Sequence, residues 1–486
     1  MERSIQFKIK ELARHGAVFG LTSSLQNVLG FVLLPILTAY YTTSDFGVYS
    51  IILLANALAG AIFYLGASSA LGRFYYDVDD ATYRKKIVSA ALFITLLGAA
   101  LLALLAFALG RTFSVWLFHT PAYTLPLELM LCSAAFTFLL NTMTLVLRYE
   151  KRSGLFMIVV LTGVLLNFAI TYILLTRYRF GILAPIYGAF CSNGLCFLFL
   201  LTMYLRKFTL FLNRGHVRQI VVFGIQSSLS GLLFYLLDWV DRLIIKGLLP
   251  MSDVGIYSLG YRLGAVMNIL LIVPFSLIWA PLRMQYAGNL NNNRFVAKVI
   301  SYFSIVGLSI VLVAVLFGKD LMDLFFKNPD YAAAAKVYPI IMLSMWVFGF
   351  QNILDFGIYM QKKVYFFVIV SAVGLAFNIV MNYWLIPHFG YIAAAYVTLL
   401  TYTLTTLLIH AISSRYHRLK IEWRRVLWPL LYLIGCYWFV NFPPVAQTGL
   451  LLWKILLLVV ALGLFFIFWL DTQEVRHLKK FVYGNS

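Results

Sequence analysis

Charge is scarce in this 486-residue chain. Only 12% of its residues are charged and 62% are hydrophobic, against roughly 25% and 45–50% in soluble domains, so a water-soluble globule is excluded. Cysteine is nearly absent as well. Cys132, Cys191, Cys196 and Cys436 all lie inside apolar runs without a Cys-x-x-Cys pair; four buried thiols are expected, and neither a disulfide framework nor a metal site. No G-x-x-x-x-G-K-[ST] loop is present to cradle phosphates, Gly318-Lys319 being followed by Asp320, so ATP hydrolysis by this chain is excluded. The seven histidines are scattered, mostly at the ends of apolar runs, with no set at metal-ligand spacing. No Ser/His/Asp order stands out, and no cofactor is expected.

What fills the chain is apolar sequence. About 20 apolar residues cross a bilayer core of roughly 30 Å, and fourteen such runs are read: 15–40, 47–70, 87–110, 123–147, 155–175, 182–204, 220–248, 255–280, 298–317, 336–358, 364–386, 390–412, 426–441 and 449–470. The expected fold class is an all-α polytopic membrane protein. With the N-terminus placed in the cytoplasm, the inner segments hold 28 Lys/Arg and the outer loops 6, a strong positive-inside asymmetry that puts both termini inside. The same asymmetry accounts for most of the +20 net charge, and nucleic acid is not needed as a partner. The N-terminus runs from a basic start into a full-length run without a small-residue cleavage site, as an uncleaved anchor does. The longest outer loop, 318–335, leaves no room for an enzymatic domain outside the membrane.

One heptapeptide occurs twice. Ser44–Ser50 reads SDFGVYS and Ser252–Ser258 reads SDVGIYS, at an offset of 208, each preceded by VFG-x-x-SSL, from Val18 and from Val222. Arg73 with Tyr76 returns as Arg283 with Tyr286, Lys151-Arg152 as Lys362-Lys363, Asn167 and Tyr172 as Asn378 and Tyr383, and Phe180-Gly181 as Phe389-Gly390, all at offsets of 209 to 211. The chain is therefore read as a tandem duplication of a six-helix unit, a common plan for transporters. Its parts are an N-terminal lobe at 1–204, a cytoplasmic linker at 205–219, a C-terminal lobe at 220–412, and a terminal hairpin with its tail at 413–486. The Ser and Asp of the heptapeptide suit helix N-terminal capping. Asp77, Asp79 and Asp80, followed by Arg84, Lys85 and Lys86, read as a solvated mixed-charge loop.

The run 220–248 breaks the apolar pattern with Asp238, Asp241, Arg242 and Lys246. A cation at the centre of a membrane helix costs about 2.5–3.5 kcal/mol on insertion scales, and such residues face a bundle interior or a wet cavity. Asp238, Arg242 and Lys246 follow one another at spacings of four, on one helix face. Arg262 adds a cation in the next run and Asp355 an acid near Gln351 and Asn352. Two readings stand: a salt-bridge set that only holds helices together, or a polar cavity that meets substrate or ions. The counterpart run 15–40 lacks these charges, which places the chemical distinction in one half.

Two related six-helix units with a C-terminal hairpin, SD-x-G-x-Y at the start of the second run, Arg73 at its end, and the N-x-x-x-x-Y…F-G-x-x-x-A element at Asn167 and Asn378 together resemble the polysaccharide-exporter (Wzx-type) flippases of the multidrug/oligosaccharidyl-lipid/polysaccharide superfamily. The resemblance covers about residues 10–470. It implies movement of a polyprenyl-pyrophosphate-linked oligosaccharide from the inner to the outer leaflet of the cell membrane, by alternating access around a cationic cavity. Arg or Lys donors would compensate the diphosphate there. Arg242, Lys246 and Arg262 are then the cavity candidates, Arg73 and Arg283 the cytoplasmic entrance, and Tyr235, Tyr257 and Tyr261 candidates for stacking on sugars. Driving energy would come from the carrier's own concentration difference or from a gradient, with Asp238, Asp241 or Asp355 to bind H⁺ or Na⁺ when unpaired. Partners implied are the lipid-linked oligosaccharide, membrane lipids and other glycan-assembly membrane proteins.

Three rival readings are weighed against this one. A cation-coupled multidrug antiporter of the same superfamily needs twelve helices, and the hairpin at 426–470 argues against it. A glycan polymerase or lipid-dependent glycosyltransferase generally places its catalytic residues on sizeable outer loops. A scaffold without transport leaves Asp238, Asp241 and Arg242 unexplained.

Overall fold

A computed structural model of the chain describes residues 2–204, 213–286, 293–361, 363, 365–417, 419, 421–441 and 450–469. These residues form α-helices joined by short turns, with no strand among them. Eleven spans among the described residues are long and apolar enough to cross a membrane. The run 220–248 lies on a single 35-residue helix but is not one of the eleven, and neither are the two terminal helices of 19 and 20 residues.

Packing divides the chain into two compact units, Met1–Gly255 and Ile256–Ser486. The first unit contains α1 (Glu2–Tyr40), α2 (Thr43–Phe63), α3 (Ala67–Phe74), α4 (Ala81–Phe118), α5 (Thr124–Tyr149), α6 (Ser153–Thr176), α7 (Leu183–Tyr204) and α8 (Arg214–Leu248), and it takes in the first residues of α9 (Met251–Gly264). Its core gathers Leu71, Ile87, Leu147, Phe156, Leu200 and Ile220, all at most 2% exposed, which ties α8 to α3, α4, α5, α6 and α7. The linker expected at 205–219 lies largely outside the described residues.

Local chemistry sets the helix ends. Thr42 caps α2: its hydroxyl accepts from the Asp45 amide and the Asp45 carboxylate accepts from the Thr42 amide, each at 3.1 Å. This capping box satisfies two orphan donors at once. The repeated Asp thus caps from the third helical position, with Thr42 rather than Ser44 as the N-cap. Asp253 likewise sits in the first turn of α9. The three aspartates of the 77–80 loop have separate partners: Asp77 pairs with Arg73, Asp79 with Arg84, and Asp80 accepts from the Thr82 and Tyr83 amides at the start of α4.

The second unit contains the rest of α9, then α10 (Val273–Tyr286), α11 (Asn293–Phe325), α12 (Tyr338–Gly349), α13 (Gln351–Leu354), α14 (Phe356–Met360), α15 (Tyr365–Phe389), α16 (Tyr391–Ser414), α17 (Trp423–Asn441) and α18 (Leu450–Trp469). The apolar run 255–280 is interrupted by a π turn at Asn268–Ile272, and the run 336–358 is broken into α12, α13 and α14. The hairpin of α17 and α18 packs on α11, and Lys454 of α18 reaches Asp320 of α11 at 2.5 Å.

The duplication extends to backbone geometry. Gly181 joins α6 to α7 at φ +53° and Gly390 joins α15 to α16 at φ +69°, a region open to glycine at no steric cost. Both belong to the repeated Phe-Gly. Asn167 accepts from Thr171 within α6, whereas Asn378 accepts from Asn382 and donates to Thr401, so the second copy has the larger polar network. Ser50 and Ser258, the last residues of the two heptapeptides, are each 1% exposed.

Candidate functional site

The charged stretch of α8 is buried protein interior. Asp241 is 1% and Arg242 2% exposed, Asp238 and Lys246 are partly buried. A helix carries such groups in an apolar setting only where neighbours supply hydrogen bonds and counter-charge. Arg242 Nη1 donates to the Asp238 backbone carbonyl at 2.8 Å, and its guanidinium lies 4.3 Å from the centre of the Trp239 ring, a cation–π geometry. The spacing of four that placed Asp238 and Arg242 on one face brings them together, but the bond described runs to the backbone oxygen. Trp239 was not singled out in the sequence, where ten tryptophans give no single one prominence.

Arg262 lies in the last turn of α9, partly buried, in the second unit. Tyr257 and Tyr261 on the same helix are buried and pack on each other with ring centres 6.0 Å apart. The Tyr257 hydroxyl lies 3.4 Å from that of Thr398. These two tyrosines are core residues in this structure, while Tyr235 of α8 is exposed.

The two duplicated arginines have diverged. Arg73 ends α3, is more than half exposed, and pairs with Asp77 four residues on. Such an exposed pair is worth 0 to about 1 kcal/mol. Arg283, one turn after Trp279 on α10, is 14% exposed at its side chain and reaches Asp355 across 72 residues of sequence at 3.0 Å. It also lies 3.8 Å from the centre of the Tyr359 ring. The structure therefore joins two residues that sequence reading had placed in separate roles, an entrance cation and an acid for ion coupling. Gln351, close by on α13, donates to Thr405 and Thr406 of α16 at 2.8 and 3.2 Å. Among the described residues no group of three or more His, Cys, Asp or Glu is arranged to hold a metal ion.

Set beside known proteins, the chain is 22% identical over 210 residues to the probable low-salt glycan biosynthesis flippase Agl15 of Haloferax volcanii, a match that spans 42% of this chain and 43% of that relative. Its fold is similar to that of the lipid II flippase MurJ in an inward closed conformation, with a TM-score of 0.74, 15% identity, and coverage of 92% of this chain and 98% of that one. It is also similar to an inward-facing multidrug resistance MATE family transporter of the MOP superfamily, with a TM-score of 0.65, 14% identity, and coverage of 84% and 95%. At those identities the likeness is one of fold. Residues 12–286, more than half of the sequence, match a family described as polysaccharide biosynthesis protein. That match, on a multi-pass helical membrane fold with a buried charged helix, makes the chain a member of the polysaccharide biosynthesis protein family.

Proposed function

We propose that this protein is a flippase that moves a polyprenyl-diphosphate-linked oligosaccharide from the cytoplasmic to the outer leaflet of the cell membrane by alternating access, without catalysing a covalent change. The single observation that carries the reading is the buried Asp241–Arg242 stretch of α8 in a chain of this family. Ionised groups are costly to bury in a membrane helix and are kept where a polar cargo or ion must pass. Both termini lie in the cytoplasm on this reading, consistent with the distribution of Lys and Arg.

In this reading Arg242, Lys246 and Arg262 meet the diphosphate during transport, Arg73 and Arg283 serve its arrival from the cytoplasm, and Asp238 and Asp241 are the acids left to balance or couple the charge. The relative Agl15 is named as a glycan flippase and MurJ as a lipid II flippase, which supports a lipid-linked glycan as the cargo class.

The test is complementation of glycan export in a host from which the chain has been deleted. Arg242→Ala and Arg262→Ala should each abolish export while the folded protein stays in the membrane. Arg242→Lys should be mild if charge alone matters and severe if the guanidinium fork binds phosphate. Export at the wild-type level by both alanine variants overturns the assignment of these residues, and restoration of resistance to toxic cations without glycan export favours an antiporter instead.

A further inference from the structure

The second copy of the duplicated unit contains a built break that the first copy lacks. Its membrane helix stops at Leu354, passes through Asp355 and restarts at Phe356. In an unbroken helix the Asn352 carbonyl and the Gly357 amide would each pair four residues along the chain; at the break each bonds to a side chain of a neighbouring helix. The Asn352 carbonyl accepts from Trp279 Nε1 of α10 at 2.7 Å. The Gly357 amide donates to Ser413 Oγ of α16 at 2.8 Å, and Gly357 lies so close to the Ser413 carbonyl that a side chain there would collide with it. In the first copy α5 runs unbroken from Thr124 to Tyr149. At the offset of 211 shared by Lys151 and Lys362, Asp355 falls on Thr144, whose hydroxyl bonds within its own turn to the Asn141 carbonyl.

Arg283 holds this break. It stands four residues after Trp279, on the same face of α10, and its Nη1 donates to Asp355 at the hinge point itself. Its Nε is buried with no acceptor among the described residues. A guanidinium presents five N–H groups in a fork that fits two oxygens of a phosphate. Asp355 therefore leaves part of the fork unused, and a diphosphate, with more oxygens and more charge, would fill it better.

We infer that Asp355 occupies on Arg283 the place of a lipid diphosphate, and that arrival of the diphosphate displaces Asp355 and releases the broken segment 351–360. Head-group capture is thereby coupled to rearrangement of one helix of the second unit. For the identity of its ligand the inference rests on the flippase reading above. Trp279 acts as a positioning residue, since it binds the backbone of the break and no phosphate.

The test uses the full chain in lipid nanodiscs with farnesyl diphosphate as probe, and inorganic pyrophosphate and farnesol as separate arms. Asp355→Asn, which keeps the shape but gives up the charge, should bind farnesyl diphosphate about tenfold more tightly, the equivalent of about 1.4 kcal/mol. Arg283→Gln should lose that binding, and Arg283→Lys, which keeps the charge without the fork, should not recover it fully. Amide hydrogen exchange at 351–360 should rise in the wild type on addition of farnesyl diphosphate and be high without it in Asp355→Asn. Unchanged affinity in Asp355→Asn together with probe-independent exchange overturns the latch. An equal response to inorganic pyrophosphate overturns the lipid as its ligand, and a response to farnesol overturns the diphosphate. A chain that binds and loosens as described but exports no glycan sinks the flippase reading and leaves the latch standing.

Discussion

Gly47 of α2 and Gly255 of α9 lie backbone to backbone: a methyl carbon built on Gly47 would stand 3.2 Å from the Gly255 nitrogen, and one built on Gly255 would stand 3.1 Å from that of Gly47. The same two carbons would collide with the carbonyls of Met251 and Thr43 respectively. These are the glycines of the two heptapeptides, so the duplicated motif packs against its own copy. Gly47→Ala and Gly255→Ala should each destabilise the protein by about 1–3 kcal/mol, because the obstructing atoms are backbone and cannot rotate away. Gly20→Ala is the control: nothing lies within 4 Å of its added carbon, and alanine gains up to about 1 kcal/mol in a helix. Thermal unfolding in detergent, read by tryptophan fluorescence, separates the three; equal midpoints for Gly47→Ala and Gly20→Ala would show that the seam is loose.

The capping box of α2 gives a second expectation. Thr42→Ala removes the hydroxyl acceptor for the Asp45 amide and should cost about 0.5–2 kcal/mol, while Thr42→Ser keeps it and should cost far less. Hydrogen exchange at the Asp45 amide reports the loss directly. A slow-exchanging amide in Thr42→Ala would mean that another acceptor serves this helix end.

Much of the fold was legible from the order of residues because a bilayer enforces it. A run of about 20 apolar residues can satisfy its backbone in hydrocarbon only as a helix or a closed barrel, and the runs fall on helices here. The breaks were less legible. Nothing in the composition of 336–358 marks Asp355 as a hinge, since a break depends on residues of other helices, Trp279 donating to the Asn352 carbonyl and Ser413 accepting from the Gly357 amide. The pairing of Arg283 with Asp355 was hidden for the same reason: 72 residues separate them, and helix spacing rules reach only three or four. By contrast Asp238 and Arg242 were four apart, and their proximity was read at once. The burial of Tyr257 and Tyr261 was obscured by an aromatic content of 17%, in which lipid-facing, core and ligand-facing rings look alike.

Asp80 supplies a dependence on pH outside the membrane spans. The Thr82 and Tyr83 amides hold its carboxyl below the ordinary carboxylate range, as hydrogen bonds to the charged form do. A depressed pKa in the folded state means that the contribution to the first turn of α4 is complete above the unfolded value of about 3.9 and is lost as pH falls through the folded value. Exchange of the Thr82 and Tyr83 amides, corrected for the intrinsic rate, should therefore be pH-independent near neutrality and accelerate under acid. Asp80→Asn should keep a side-chain acceptor and lose that acid response; an unchanged response would assign it to another carboxyl.

Lys454 and Asp320 give the sharpest asymmetry. The side chain of Lys454 is 5% exposed, whereas that of Asp320 is 49% exposed, and the ammonium–carboxylate pair fastens α18 to α11. Removing one partner leaves the other in its own environment, so the cost is set by which charge is stranded. Lys454→Met replaces the buried charge with an apolar chain and leaves a carboxylate that water reaches; it should cost no more than about 1 kcal/mol. Asp320→Asn strands a buried ammonium, and the penalty should approach about 3 kcal/mol, the lower end for a broken buried pair. The double variant should return close to Lys454→Met, because the stranded charge is gone. Unfolding midpoints for the four proteins form a double-mutant cycle, and equal costs for the two single variants would show that water reaches Lys454 in the membrane and that the hairpin is not held by this contact.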